Sequence, residues 1–504
     1  MILPVTLLAA LALVAPTSTA LSNTSQAAAA AKQVTIKSVA GKTPFIAKVT
    51  LKGVDTKKLT YVKFKVLTKK GLSAAPISAK YSRSYLKSNG LITSKTKVSF
   101  TVYGLYQNYN NKVTVTYKVG KKVVVKKIRI RTTAFVDDVL SNPEVVVARN
   151  KNLALDYSYF AMKNLHRPEA PFIMDVDGRI RWVGMYSAMS PSVGATSCRF
   201  INGHFQLGSG TKLYTLGLDS SLTEVADYAS QNVTGFHHNI DPGKSGSLVE
   251  VDRTGEVEST IYEIDSRGTI LKTFDLAAMM EDYMTDNGDD PTNFVRHGAD
   301  WFHNNAAVYW AANNTLVVSS RENFVIGFDY DTKVIKWILG DTNKEWYTYP
   351  SLQAKALTLA DNDFAPIGQH AVSITPQNEL LLFDNGLQSM NVPVGAATGE
   401  SRTYSSVKRF SIDEAALTAH MVWNYDHGRT IYSPITSSVY QKGTSYLIDY
   451  AAGTNNVGAW NKHLTMQGLN SLEQTVFEYR FSAAIAPTYG WNSEIVPLEY
   501  QVFK

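Results

Sequence analysis

The sequence predicts an all-β protein, a six-bladed β-propeller preceded by a small β-sandwich, and three observations carry that prediction. Between Gln33 and Phe135, β-branched residues alternate with Lys or Thr at period two. From Pro171 onward, an apolar strand repeatedly runs into an Asp-containing turn from which a second apolar strand leaves. Three segments that open strands carry histidine, with 65 residues from His238 to His303 and 67 from His303 to His370. A spacing that regular suits one equivalent inner strand per repeat in a closed ring.

Taken in chain order, Met1–Ala20 reads as a signal peptide. Ile2 to Pro16 is mainly apolar, and Ser18-Thr19-Ala20 supplies small residues for cleavage, although the basic start is limited to the terminal amine. The mature protein is therefore expected to be exported, periplasmic or extracellular. Cys198 is the single cysteine, which excludes both a lipid-modified N-terminus and an internal disulfide, so stability must come from core burial. No later segment approaches the ~20 apolar residues of a membrane-spanning helix.

The sandwich is expected over residues 33–135. Val34-Thr35-Ile36-Lys37, Tyr61 to Val66, Lys112 to Tyr117 and Val123 to Ile130 alternate as antiparallel strands with one wet face, and Gly41, Gly53, Gly71 and Gly120 punctuate them. Lys32 to Arg131 holds 24 Lys and Arg against one acid, Asp55, whereas the rest of the chain holds 26 against 42. Two electrostatically opposite bodies result, at +23 and −16 within a total of +7. The basic one could contact an anionic cell surface, or its lysines could simply solvate exposed strands. Nucleic acid is not an expected partner of an exported chain.

Residues 136–170 are less regular and read as a connector, leaving 171–504 for the propeller. The Asp-turn hairpins are clearest at Phe172 to Val183, Tyr262 to Leu271 and Gly327 to Trp337. Units begin near Pro171, Arg199, His237, His303, His370 and Ser433. A parallel β-helix would want shorter and more uniform repeats.

The histidines and one arginine carry the chemistry. Arg321 follows His303 by 18 residues, enough for a strand, a turn at Ala312-Asn313-Asn314 and a returning strand, so the two side chains should be neighbours. A guanidinium presents a planar fork of donors to an oxyanion, and an imidazole can donate, carry a proton or attack. Several histidines on a propeller axis can also hold a metal, but an adjacent fixed cation opposes one, and no metal ligand is assigned. Strand alternation should let only one of His237 and His238 face the axis. A shared 14-residue interval to Asp252 and Asp384 favours His238.

These residues resemble a known family, the bacterial aryl-sulfate sulfotransferases that work without the phosphoadenosine phosphosulfate donor. The matching pieces are Phe236-His237-His238-Asn239, Asp300-Trp301-Phe302-His303-Asn304-Asn305, Val318-Ser319-Ser320-Arg321, Gly368-Gln369-His370-Ala371, Phe383-Asp384-Asn385-Gly386 and Tyr432-Ser433-Pro434-Ile435-Thr436. The resemblance implies an immunoglobulin-like N-terminal domain, a homodimer, and no cofactor. It further implies sulfuryl transfer from an aryl sulfate donor to a phenolic acceptor through a sulfohistidine, a ping-pong sequence. His370 would be the nucleophile; His303, Arg321 and His238 would act with it, and His237, Asn305 and Thr436 would contact substrate. The chain lacks the cysteine pair that some members carry near the site. Competing readings are a non-catalytic propeller scaffold, which would have no need of the histidine array, and a metal-dependent propeller enzyme.

Overall fold

The alternating residues near the N-terminus bury one face and wet the other. In the computed structural model, which describes residues 33–137, 140, 143–163, 171–184, 197–454, 463–481 and 492–504, they form two packed sheets. One has the strand order Thr35–Ala40, Ile46–Lys52, Lys97–Tyr103, Ile92–Ser94. The other has the order Tyr500–Phe503, Ile77–Ser82, Leu59–Val66, Asn110–Val119, Lys122–Arg131. Along Leu59–Val66, Leu59, Val62, Phe64 and Val66 are buried while Thr60 and Lys65 are exposed. Each such buried side chain contributes roughly 1.5–3 kcal/mol. Strand Lys122–Arg131 is a sheet edge exposed along most of its length, and its charges disfavour edge-to-edge pairing. The leader expected over Met1–Ala20 lies outside the described residues.

The remaining strands form six sheets among the described residues, the propeller portion of the fold. Their axial edges are Ser197–Ile201, Val233–Pro242, Asn304–Trp310, His370–Ile374, Ser438–Lys442 and Ser493–Ile495. Consecutive members of that series touch, and a hydrogen bond from the Phe200 amide to Glu494 joins the last to the first. The Asp turns sit in the outermost hairpins, where a carboxylate replaces missing ladder partners. Asp175 accepts from the Arg179 amide, Asp265 from Arg267 and Thr269, and Asp329 from Thr332.

Two boundaries differ from expectation. The stretch 136–170 is more than a connector, because Glu144–Val147 pairs with Thr475–Phe481 and Tyr159–Met162 lies inside another sheet. Its few residues per strand gave no detectable periodicity. The propeller does not extend to residue 504 either, since Tyr500–Phe503 runs parallel to Ile77–Ser82 in the sandwich. Sandwich and propeller also share buried polar contacts. Arg181 pairs with Asp175, donates to the Gly104 carbonyl and lies over the Tyr106 ring at 3.7 Å. Among the described residues, no helix is long and apolar enough to cross a membrane.

Candidate active site

Each axial strand that carries a functional side chain is interrupted at that residue. The ladder between Val233–Pro242 and its neighbour shifts between Phe236 and Ile240, looping out His237, His238 and Asn239. Comparable shifts fall between Asn304 and Ala306 and between His370 and Ser373. Left-handed backbone accompanies them, with φ of 44° at His238, 54° at His303, 55° at Ala371 and 56° at Thr436. A non-glycine residue held there costs about 1–3 kcal/mol, and a bulge re-aims side chains that regular pleating would separate. The structure thus spends stability to turn imidazoles toward one another.

The His238 ring lies 5.0 Å from His303 and 5.8 Å from His370, centroid to centroid. His237 is 5.5 Å from His238, and its Nδ1 is 3.9 Å from Glu250. Alternation does not separate the pair as expected, because both lie in the bulge and both are buried. It is nevertheless His238 that meets the other two histidines. Arg321 is brought to His303 by a backbone bond from its amide to the His303 carbonyl at 3.0 Å. Its guanidinium is buried and pairs through Nη1 with Glu322, while Nε and Nη2 have no partner among the described residues.

Amides link neighbouring axial strands. Asn492 donates to Asn239 at 2.7 Å, Asn239 to the Asn305 carbonyl at 3.0 Å, and Asn305 to the Gln369 carbonyl at 2.8 Å. Gln369 continues to the Ser320 and Phe324 carbonyls. Asn305 thereby spaces His303 from His370, and its own Oδ1 is buried without a partner. The Thr436 hydroxyl is bonded to the Ile435 carbonyl, and its backbone carbonyl accepts from Asn385.

Four residues with evident roles were not assigned from sequence: Glu258, Asp300, Glu322 and Asn385. Asp300 accepts from His303 Nδ1 at 2.7 Å, and Glu258 lies 2.9 Å from the same nitrogen and 3.4 Å from His238 Nε2. Burial alone would push His303 down, but Glu258 and then Asp300 lift it to about 9. His370 moves the other way: burial, with His238 and His303 beside it, holds it well below the ordinary histidine value. Burial also lowers His238 and His237. Glu258 is held well below the usual carboxylate range by the imidazoles around it, against its burial. At neutral pH one member of the cluster is therefore an imidazolium and another a neutral base. Of the four, Asp300 and Asn385 stood inside segments already singled out; Glu258 and Glu322 had only their bulge and their neighbour to mark them.

Ligand atoms of His237, His238 and Glu258, and of Glu258, Asp300 and His303, lie within 4.8 Å of one another and could enclose a cation. Arg321 stands close enough to His370 to depress its basicity, and its fixed charge opposes a further cation nearby.

Comparison with known proteins gives matches along most of the chain. Residues 144–492 match the family model described as arylsulfotransferase, and residues 16–133 match the one described as arylsulfotransferase Ig-like domain. A protein of Escherichia coli O6:H1 named arylsulfate sulfotransferase AssT is 23% identical over 471 residues, covering 72% of this chain and 75% of that protein. A protein of the same name from Lelliottia amnigena is 22% identical over 465 residues, covering 70% and 76%.

Proposed function

The chain belongs to the arylsulfotransferase family, and from that premise we propose that it moves a sulfuryl group from an aryl sulfate to a phenol in two steps through His370. The observation that carries this reading is the buried guanidinium of Arg321, with two unpaired nitrogens and close enough to His370 to depress its basicity, where the rings of His238, His303 and His370 converge. Leaving such donors dry is costly, and an oxyanion bound there would satisfy them.

In the first half-reaction the lone pair of His370 attacks sulfur and the bond from sulfur to the aryl oxygen breaks. Its electrons leave on the phenol oxygen, which takes a proton from the His303 imidazolium. Sulfuryl transfer, like loose phosphoryl transfer, needs little covalent work beyond this, so donors around the equatorial oxygens dominate. Arg321, His238 and Asn305 are suited to that role, with His237 and Thr436 at its margin. The second phenol then gives its proton to neutral His303 and collects the sulfuryl group, which restores both histidines.

Export to the periplasm or cell exterior is part of the same reading and is supported by the character of Met1–Ala20. Homodimer formation and contact of the basic sandwich with an anionic surface are proposed with it, the latter supported by the exposed basic edge strand. A metal-dependent enzyme is the second reading, favoured by the carboxylate–imidazole clusters. The test is a chromogenic aryl sulfate with and without added phenol. Release that depends on phenol, with a mass gain of about 80 Da on the protein when phenol is absent, is the expected result of covalent transfer. Release into water alone, or activity that follows stoichiometric iron or zinc, would overturn it.

A further inference from the structure

An imidazole has two nitrogens, and a neutral one can attack through only the nitrogen that lacks the proton. The surroundings of His370 decide which that is. Its Nδ1 lies 2.8 Å from Asn385 Oδ1 and 3.2 Å from the Gly368 carbonyl. A flipped Asn385 amide would present NH₂ instead, but its other contacts forbid the flip. The Asn385 amide nitrogen donates to the Ser433 carbonyl at 2.7 Å and the Thr436 carbonyl at 2.9 Å, and backbone carbonyls only accept. Both amide hydrogens are spent, so the atom toward His370 is oxygen. With two acceptors facing it, Nδ1 must carry the hydrogen. No described residue bonds Nε2, which holds the lone pair.

The backbone beneath Asn385 is fixed as firmly. The residue is fully buried and its carbonyl accepts from the Ser405 hydroxyl at 2.8 Å. The preceding Asp384 accepts from the Ile367 amide and pairs with Lys408 and Arg402, both largely or wholly buried. The following Gly386 has φ of 81°, and a Cβ there would fall 2.7 Å from the Tyr404 carbonyl. Neither side chain nor main chain has room to present Asn385 differently.

We propose that Asn385 is the positioning residue that keeps the proton on Nδ1 of His370 and so directs the sulfuryl group to Nε2. The inference rests on His370 as the nucleophile. As the bond from Nε2 to sulfur forms and that from sulfur to oxygen breaks, the ring becomes a cation that still carries its Nδ1 hydrogen. The amide oxygen accepts that hydrogen more strongly but has no charge with which to hold the ring protonated beforehand. A retained Nδ1 hydrogen also leaves the sulfated ring a good leaving group for the second step.

The experiment uses the full-length protein with ¹⁵N-labelled histidine. Long-range proton–nitrogen NMR of the resting protein is expected to show a protonated Nδ1 and a pyridine-like Nε2 at His370. After reaction with 4-nitrophenyl sulfate without acceptor, the label should sit on Nε2. Asn385→Ala should mix the tautomers and lower kcat by about a hundredfold or more, short of the roughly ten-thousandfold loss that a fully wrong tautomer causes elsewhere, with KM for the donor little changed. A resting Nε2 hydrogen, label on Nδ1, or Asn385→Ala with unchanged kcat would overturn this inference while leaving His370 as nucleophile. Label on another residue would instead overturn the nucleophile and this inference with it. Should Asn385→Ala not fold, the two wild-type measurements still decide.

Discussion

His303, immediately before the axial strand Asn304–Trp310, and His370, at the start of the neighbouring one, each adjoin an interrupted ladder, His370 buried and His303 partly so, and each has Nδ1 held by an acceptor. They differ in what that acceptor is. Nδ1 of His303 faces two carboxylates, which outweigh burial and lift its ring to about 9; that of His370 faces an uncharged amide oxygen, too weak a partner to offset burial and the neighbouring His238 and His303, which hold its ring well below the ordinary histidine value. Similar places in the fold thus give opposite titration, because carboxylates counter burial at one ring and only an amide meets Nδ1 of the other, which suits the first to the proposed role of acid and the second to that of nucleophile.

The comparison can be broken at either histidine. His370→Asn should abolish both protein labelling and transfer, a loss of up to about a million-fold if the residue acts as other removed nucleophiles do; normal single-turnover labelling of that variant would end its assignment. Arg321→Lys keeps the charge that His370 senses but loses the fork, and should cost about 3 kcal/mol of transition-state stabilisation, roughly a hundredfold in kcat/KM. Near-normal turnover in the folded variant would remove Arg321 from the site.

Glu258→Gln sharpens the contrast by making the partners of His303 more like that of His370. The folded pKa of His303 is raised, so its protonated form prevails below that value and is lost as pH rises through about 9. The alkaline limb of wild-type kcat should fall there. Removing one carboxylate should move that limb toward acid by about 1 pH unit or more, read from a pH–rate profile with a donor of fixed leaving group. An unmoved limb would mean that His303 is not the titrating acid. The same linkage makes His303 stabilise the fold fully below about pH 6.5, with that contribution lost toward pH 9. The smallest expected effect is none: dialysis against a chelator should leave turnover unchanged, and loss restored by added zinc or iron would mean that the carboxylates serve a metal.

Much of this was legible in the sequence because it depends on composition and interval. Alternation at Tyr61 to Val66 and Lys112 to Tyr117 marked the middle of the strands Leu59–Val66 and Asn110–Val119, Asp turns marked the outer hairpins, and the spacing of His238, His303 and His370 brought three strands together. Glu258 was not legible, because it enters the site through a local left-handed turn, φ 44°, and a hydrogen bond from its backbone amide to the Asp252 carboxylate that no residue pattern announces. The same kind of irregularity defeated the argument that pleating would part His237 from His238. Strand Glu144–Val147 escaped notice because four residues are too few to show a period.

The sheet that contains Tyr159–Met162 is completed by Ser493–Ile495, and the one that contains Thr475–Phe481 takes its outer strand from Glu144–Val147. The ring is thus laced by segments more than 300 residues apart in sequence. A chain emerging N-terminus first can pair most of its hairpins early, but it cannot close the circle until residue 495 is free. Loop closure over that distance is slow, and until it happens the axial edge of the first sheet stays unpaired. Synthesis therefore delivers the histidines before the enclosure around them, so that catalytic competence should arrive as a single late event, and removal of residues 493–504 should leave an open, association-prone ring with its catalytic side chains intact.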